Sequence, residues 1–189
     1  VRRRHARYSP DGSDEQGSRR AASLSCSSMN SFARAQLADD LLSEGRHADA
    51  WAELQKVPPD DDDIAEVIFV KVQTLWALRR FAEALPLARR LVELSPDRTI
   101  HWAWLGMTTR QTLGLEAAAS VYEAAVSRYP ATGIFRYSLA SRYCSLGRFD
   151  EAMEHMALGL ALDPSWKEVA MDDPALSEIW EVVVAADCS

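Results

Sequence analysis

Apolar residues recur along this chain with the spacing of one face of an α-helix. In one stretch they stand at positions i, i+3, i+4 and i+7, which an amphipathic helix brings to a single side. These positions hold Trp102, Leu105, Gly106 and Thr109. The next stretch repeats the spacing with Ala118, Tyr122 and Ala125. A β-branched run, which would favour a strand, occurs only at Val182–Val184. The pattern therefore predicts an all-α protein.

The predicted helices follow a period of 34 residues. Pro96, Pro130 and Pro164 are separated by this interval, and each ends a similar apolar phrase. A fixed period of this size is typical of stacked helix pairs, and proline commonly follows the end of a helix. The period divides the central region into four units, which begin near Ser31, Ala65, Thr99 and Gly133 and cover 31–64, 65–98, 99–132 and 133–166.

Short motifs stand at corresponding places in these units. The third unit contains Trp102-x-x-Leu105-Gly106, Ala118-x-x-x-Tyr122 and Pro130, and the fourth contains Leu139-Ala140-x-x-Tyr143 and Ala152-x-x-x-Met156. Together the four copies resemble the tetratricopeptide repeat (TPR) family, whose unit is a helix–turn–helix of about 34 residues. The resemblance implies a right-handed α-solenoid of about four stacked helix pairs over residues 31–164.

Three features depart from the family pattern. Arg34 and Arg136 occupy the fourth place of their units, where a large apolar residue is usual, and Lys71 falls on a packing position. The repeat pattern of unit one ends early, at Pro58-Pro59, and four consecutive aspartates, Asp60–Asp63, follow. This run lacks the alternating ligands and the glycine of a calcium loop. We therefore expect a solvated linker whose last aspartate caps the next helix.

The two ends of the chain have their own composition. Residues 1–30 hold six arginines and seven serines with few large apolar side chains, so we expect a disordered tail. The alternative is that its arginines bind an anionic surface. For residues 167–189 we expect a capping helix over the last repeat, because Asp172-Asp173-Pro174 is typical of a helix start and an apolar stripe follows it. The stripe consists of Leu176, Ile179, Trp180 and Val183. The alternative is an amphipathic anchor that docks on another chain.

Composition excludes several classes of protein. The chain has 28 acidic and 21 basic residues and a formal charge of −7, which argues against nucleic acid as a partner. Its longest apolar stretch, Ile64 to Leu78, contains Glu66 and Lys71 and is too short for a membrane span of about 20 residues. The three cysteines are far apart, with no Cys-x-x-Cys pair, which favours reduced thiols and a cytoplasmic location.

No motif indicates catalysis. The chain lacks a phosphate-binding glycine loop, a Gly-x-Ser-x-Gly elbow and a His-Glu-x-x-His pair. Its four histidines are isolated from one another, and Cys144 has no basic neighbour that would activate its thiol. We therefore predict a protein that is not an enzyme and has no catalytic, metal-binding or cofactor-binding residues.

A second stripe on each first helix points to a binding surface. By resemblance to the family, the second, fifth, ninth and twelfth residues of each unit line a concave groove. Here they are largely apolar and aromatic, and a contiguous exposed apolar strip usually marks an interaction site. The candidate groove residues are Phe69, Gln73, Trp76, Ile100, Met107, Arg110, Ile134, Tyr137 and Ser141. The alternative is that the aromatic rings pack on neighbouring units or are covered by the C-terminal helix of the same chain.

Two functions are consistent with this groove. The first is a protein–protein interaction scaffold that holds a short apolar or amphipathic peptide or helix of another protein. The second is an assembly protein that forms a homo-oligomer through its groove or its C-terminal helix.

Overall fold

The computed structural model describes residues 30–180, which form nine α-helices and two short 3₁₀-helices and contain no strand. The expectations for the N-terminal tail and for Val183 concern residues outside this range. The helices are α1 (Ser31–Ser43), α2 (His47–Leu54), α3 (Ala65–Ala77), α4 (Phe81–Leu94), α5 (Thr99–Leu113), α6 (Leu115–Arg128), α7 (Gly133–Ser145), α8 (Phe149–Leu162) and α9 (Trp166–Met171). The 3₁₀-helices are Pro59–Asp61 and Pro174–Ile179.

The helices form four antiparallel pairs that stack into an α-solenoid. Each odd-numbered helix from α1 to α7 packs on the helix that follows it, and α1 and α3 also pack on the first helix of the next pair. These first helices begin at Ser31, Ala65, Thr99 and Gly133, the starts of the 34-residue units. The all-α repeat architecture expected from the periodicity is therefore confirmed.

Small residues let the two helices of each pair approach closely. Ala50, Ala84, Ala118 and Ala152 stand 34 residues apart, and all four are fully buried. In the third pair the contact is closest at Gly106 of α5, where an added Cβ would lie 2.3 Å from Cζ of Tyr122 on α6. A side chain larger than hydrogen at position 106 would overlap the Tyr122 ring, so either the ring or the two helices would have to shift.

The turns between paired helices repeat one backbone conformation. Gly45 and Gly147 have φ angles of 76° and 73° in the first and fourth pairs. The corresponding residue of the second pair is Arg79, which has a φ of 59° although it carries a Cβ. In the third pair the glycine comes one residue later, at Gly114, so α5 continues to Leu113 before the chain turns. A residue with positive φ ends many helices, and glycine adopts that conformation at least cost.

Two of the three charged residues that depart from the family pattern form ion pairs, and the third, Arg136, donates a hydrogen bond of 3.4 Å to the carbonyl oxygen of Pro130. Arg34 pairs with Glu53 on α2, and Nζ of Lys71 lies 2.6 Å from Oδ1 of Asp62. The expectation that Asp63 caps α3 is wrong. Asp63 instead accepts two hydrogen bonds, of 2.9 and 2.8 Å, from Arg90 on α4, and α3 starts without a side-chain cap. The aspartate run thus ties the linker to the second helix pair.

The C-terminal segment packs on the last helix pair in two short pieces rather than as one continuous helix. The helix α9 is followed by the 3₁₀-helix Pro174–Ile179, which lies against α7. Asp173 caps this 3₁₀-helix, because its Oδ1 accepts a hydrogen bond of 2.9 Å from the backbone N–H of Ala175. Leu176 and Ile179 are buried, whereas Trp180 remains 39% exposed.

Candidate peptide-binding groove

The nine candidate groove residues all lie on the first helices α3, α5 and α7, but in different environments. Phe69 borders a pocket, Trp76 belongs to an aromatic cluster, and Tyr137 and Ser141 lie beneath the C-terminal segment. Among the described residues, the candidate groove is therefore open beside Phe69 and covered by its own chain at Tyr137 and Ser141.

The open end contains a pocket of about 230 Å³ between α1, α3 and the start of α5. Its walls include Phe69 from the candidate set and Phe32 on α1, whose side chain is 56% exposed. The other lining residues are Ala35, Gln36, Asp39, Ala65, Glu66, Val70, Ser95, Arg98 and His101. Ser95, Arg98 and His101 were missed from the sequence because they lie outside the periodic stripe, at the turn between α4 and α5 and on the buried side of α5.

Three charged groups surround this mainly apolar pocket. Within residues 30–180, Asp39, Glu66 and Arg98 take part in no ion pair. The ring of His101 is buried beside Phe69, with 5.6 Å between the ring centroids, and its Nδ1 lies 3.2 Å from the carbonyl oxygen of Ser95. Burial lowers the pKa of His101, which favours the neutral form of the ring. The pocket thus offers an apolar interior with acidic and basic groups at its entrance.

An aromatic cluster joins the second and third repeats. The ring of Trp76 lies edge-on to Phe81 and to Trp104, with centroid distances of 5.0 and 5.9 Å, and Trp104 also meets Phe69 at 6.5 Å. Trp76 therefore joins α3 to α4 and α5. Its Nε1 and the Oε1 atom of Gln73 are buried without a hydrogen-bond partner. The Trp76 nitrogen thus lacks a hydrogen-bond acceptor, and the Gln73 oxygen lacks a donor.

The C-terminal segment covers the groove residues of α7. Tyr137 stacks on Trp166 with 5.0 Å between centroids, and its hydroxyl donates a 2.9 Å hydrogen bond to Oδ2 of Asp173. Ser141 donates to the same oxygen at 3.1 Å. Burial, and then the Asp173 carboxylate, raise the pKa of Tyr137 to about 12. Tyr137 and Ser141, expected to line an open groove, are thus held by the chain itself.

Burial also determines the chemistry of the neighbouring thiol. Cys144 lies on α7 on the same side as Ser141 and is buried, and burial is the main cause that raises its pKa to about 11. At neutral pH nearly all of this thiol is protonated, so it is a poor nucleophile.

The remaining candidates lie between these regions. Ile100 and Arg110 on α5 are exposed, and Met107 is half-buried between them. Ile134 at the start of α7 packs partly against the core of the last two repeats. Residues 30–180 contain no cluster of three or more side chains suited to a metal ion. In the same range, no helix has the length and apolar character that a membrane span requires.

Comparison with known proteins agrees with this architecture. No curated protein is significantly similar to the chain in sequence. The fold matches a crystal structure of MamA, with a TM-score of 0.68, 18% identity and coverage of 85% of this chain and 99% of that one. MamA 41-end from Desulfovibrio magneticus RS-1 gives a TM-score of 0.63 and 18% identity, with 82% and 89% coverage. YrrB, described as a TPR protein with an unusual peptide-binding site, gives 0.63 and 14%, with 90% and 92% coverage.

At these identities the structural matches establish the fold alone. The family assignment comes from the sequence: the model of the tetratricopeptide repeat matches residues 69–112 and 110–165, together more than half of the chain. The protein therefore belongs to the tetratricopeptide repeat family.

Proposed function

We propose that this protein is a non-enzymatic scaffold that binds a short apolar or amphipathic segment of another protein at the open end of its groove. The observation that carries the proposal is the pocket beside Phe32 and Phe69, which is concave, mainly apolar and uncovered among the described residues. TPR folds are protein–protein interaction scaffolds, and the similarity to YrrB, described as having a peptide-binding site, supports a peptide as the ligand.

The size of the pocket indicates what part of a peptide it takes. A volume of about 230 Å³ accommodates one large apolar side chain. Burying such a side chain contributes about 1.5–3 kcal/mol, which makes it an anchor for the rest of the peptide. Asp39, Glu66 and Arg98 at the entrance are then available to orient the flanking backbone or charged residues. The free, buried thiol of Cys144 supports a reducing compartment, and we place the scaffold in the cytoplasm.

A phage-displayed library of random 12-residue peptides, selected on the full chain, tests this proposal. Selected peptides are synthesised, and their affinity is measured by fluorescence polarisation. We expect Phe32→Ala to weaken binding by about tenfold or more, because the exposed ring forms one wall of the pocket. The matched control is Phe149→Ala, which removes a ring that is 41% exposed on α8, outside the groove. If both variants bind every selected peptide as well as the wild type does, the pocket is not the binding site.

Assembly into a homo-oligomer is a second candidate function. It is favoured by exposed apolar side chains at the C-terminal end of the array, which are Leu158, Leu162, Val169, Met171 and Trp180. Exposed apolar residues that cluster on one surface are common at protein interfaces. Size-exclusion chromatography with light scattering distinguishes the candidates. A stable dimer that Leu162→Glu converts to a monomer would favour assembly, whereas a monomer at all concentrations would exclude it.

A further inference from the structure

The last part of the C-terminal segment that the structure describes, residues 172–180 and here called the strap, covers one face of α7. Tyr137 and Ser141 lie beneath it and stand two 34-residue periods after Phe69 and Gln73 on α3. On α3 this face borders the open pocket at Phe69. The same face of a first helix is therefore open in the second repeat and occupied in the fourth.

One carboxylate holds the start of the strap on α7. Oδ2 of Asp173 accepts hydrogen bonds from the hydroxyls of Tyr137 and Ser141, at 2.9 and 3.1 Å. Its Oδ1 accepts a third hydrogen bond, of 2.9 Å, from the backbone N–H of Ala175, which caps the 3₁₀-helix Pro174–Ile179. Asp173 thus attaches the strap to α7 and also fixes the conformation of the strap itself.

Two apolar side chains complete the contact. Leu176 and Ile179 are three residues apart, one turn of a 3₁₀-helix, so they lie on the same side of it. They are 0% and 1% exposed and belong to the core of the last two repeats. Ser177, Glu178 and Trp180 are exposed. The strap therefore resembles a bound peptide, with an acidic group at its start, one face buried and the other in solvent.

The strap is joined to the array by a short connection. The fourth helix pair ends at Leu162, and α9, which precedes the strap, has only six residues. A peptide of another molecule that presented the same groups would make the same contacts with α7. The strap is favoured over such a peptide only by its covalent attachment, which gives it a high effective concentration. A partner that makes additional contacts can overcome this advantage.

We propose that this face of α7 is a peptide-binding site, which the chain's own strap occupies as an internal ligand. The partner that displaces the strap is a segment of another protein with the same chemistry. It has an Asp-Pro pair, with apolar side chains at the third and sixth positions after the aspartate. The strap thus inhibits binding at α7 until it is displaced. This site is separate from the pocket at Phe69 and does not depend on the function proposed there.

A fluorescein-labelled peptide with the sequence of residues 172–180 tests the inference. It is added to the full chain, and its binding is followed by fluorescence polarisation. In the protein, Asp173→Ala weakens the internal competitor, so we expect this variant to bind the probe about 30-fold more tightly than the wild type does. The control Asp172→Ala should bind it as the wild type does, because the carboxylate of Asp172 is exposed and accepts no hydrogen bond from the described residues.

Altered probes and a second site variant test the proposed contacts. On the Asp173→Ala protein, a probe in which alanine replaces Asp173 should bind at least about tenfold more weakly than the original probe, since it lacks the carboxylate that α7 recognises. A probe with alanine at position 172 should bind unchanged. Adding Phe32→Ala to the Asp173→Ala protein should also leave the affinity unchanged, because Phe32 lines the other pocket.

The inference is overturned if the probe binds neither protein, if it binds the wild type and Asp173→Ala equally, or if the probe without Asp173 binds as well. Leu176→Ala, which removes a buried side chain of the strap, is a second variant that weakens the competitor. If circular dichroism shows that both variants are unfolded, the strap is an integral part of the array and the inference fails. Light scattering tests a different occupant. A wild-type dimer that the probe dissociates would assign the site to the strap of a second copy and would overturn the partner proposed here.

Discussion

Replacing Asp173 with alanine should release the C-terminal segment from α7. The carboxylate of Asp173 accepts hydrogen bonds from the hydroxyls of Tyr137 and Ser141 and from the backbone N–H of Ala175, at 2.9, 3.1 and 2.9 Å. A hydrogen bond to a charged group contributes about 1.5–3 kcal/mol, but three that share one carboxylate do not add. We therefore expect the closed position of the segment to lose about 2 kcal/mol, which raises the fraction of open molecules about 30-fold.

The thiol of Cys144 reports this opening. It is buried on α7, and its pKa of about 11 keeps it protonated and slow to react. In a chain in which serine replaces Cys26 and Cys188, Cys144 is the only thiol left, so a thiol reagent measures its exposure directly. The rate of modification should rise in proportion to the open fraction, provided that the segment closes faster than the reagent reacts.

The neighbouring residue supplies the control. Asp172→Ala removes an exposed carboxylate that accepts no hydrogen bond within the described residues. If Asp173→Ala and Asp172→Ala react with the thiol reagent at the same rate, the hydrogen bonds of Asp173 do not hold the segment in place. The reasoning would also fail if Asp173→Ala reacted as fast as the unfolded chain, because the whole protein rather than the segment would then have opened.

Three further predictions concern stability, measured by urea unfolding. Arg79→Gly should stabilise the protein by about 0.5–1 kcal/mol, because glycine adopts the positive φ of 59° with less strain; a loss of stability would contradict this. Gly106→Ala should destabilise it by about 1–2 kcal/mol despite the better helix propensity of alanine, since the new methyl group would overlap the ring of Tyr122; a neutral effect would mean that the ring moves freely. The hydrogen bond from Lys56 is the largest cause that lowers the pKa of Glu53. The stabilisation of the fold by the ionised Glu53 should therefore be complete above the ordinary glutamate pKa of about 4.3. It should be lost as the pH falls through the lowered pKa of Glu53 in the folded protein. The free energies of unfolding at pH 7 and at pH 3 should accordingly differ less in Glu53→Gln than in the wild type.

Local patterns predicted the helices well because each helix face needs residues at a fixed spacing. The lengths of the helices follow from the turns between them: Gly114 stands one residue later than the corresponding turn residue of the other pairs, and α5 is correspondingly long. The partners of charged residues could not be predicted from the local sequence. Asp63 was expected to cap the helix beside it, but it binds Arg90, 27 residues away, because only the stacked pair brings that guanidinium within reach.

The 34-residue period and its motifs were sufficient to identify a tetratricopeptide repeat array. Which part of the candidate groove is open depends on contacts that the periodic pattern does not record. Phe69 and Tyr137 hold the same place in the second and fourth repeats, yet Phe69 borders an open pocket and Tyr137 is stacked beneath Trp166. The periodic pattern assigns both rings the same role. Their difference arises from contacts with a segment about 30 residues further along the chain, whose path depends on the burial of Leu176 and Ile179 against the folded array.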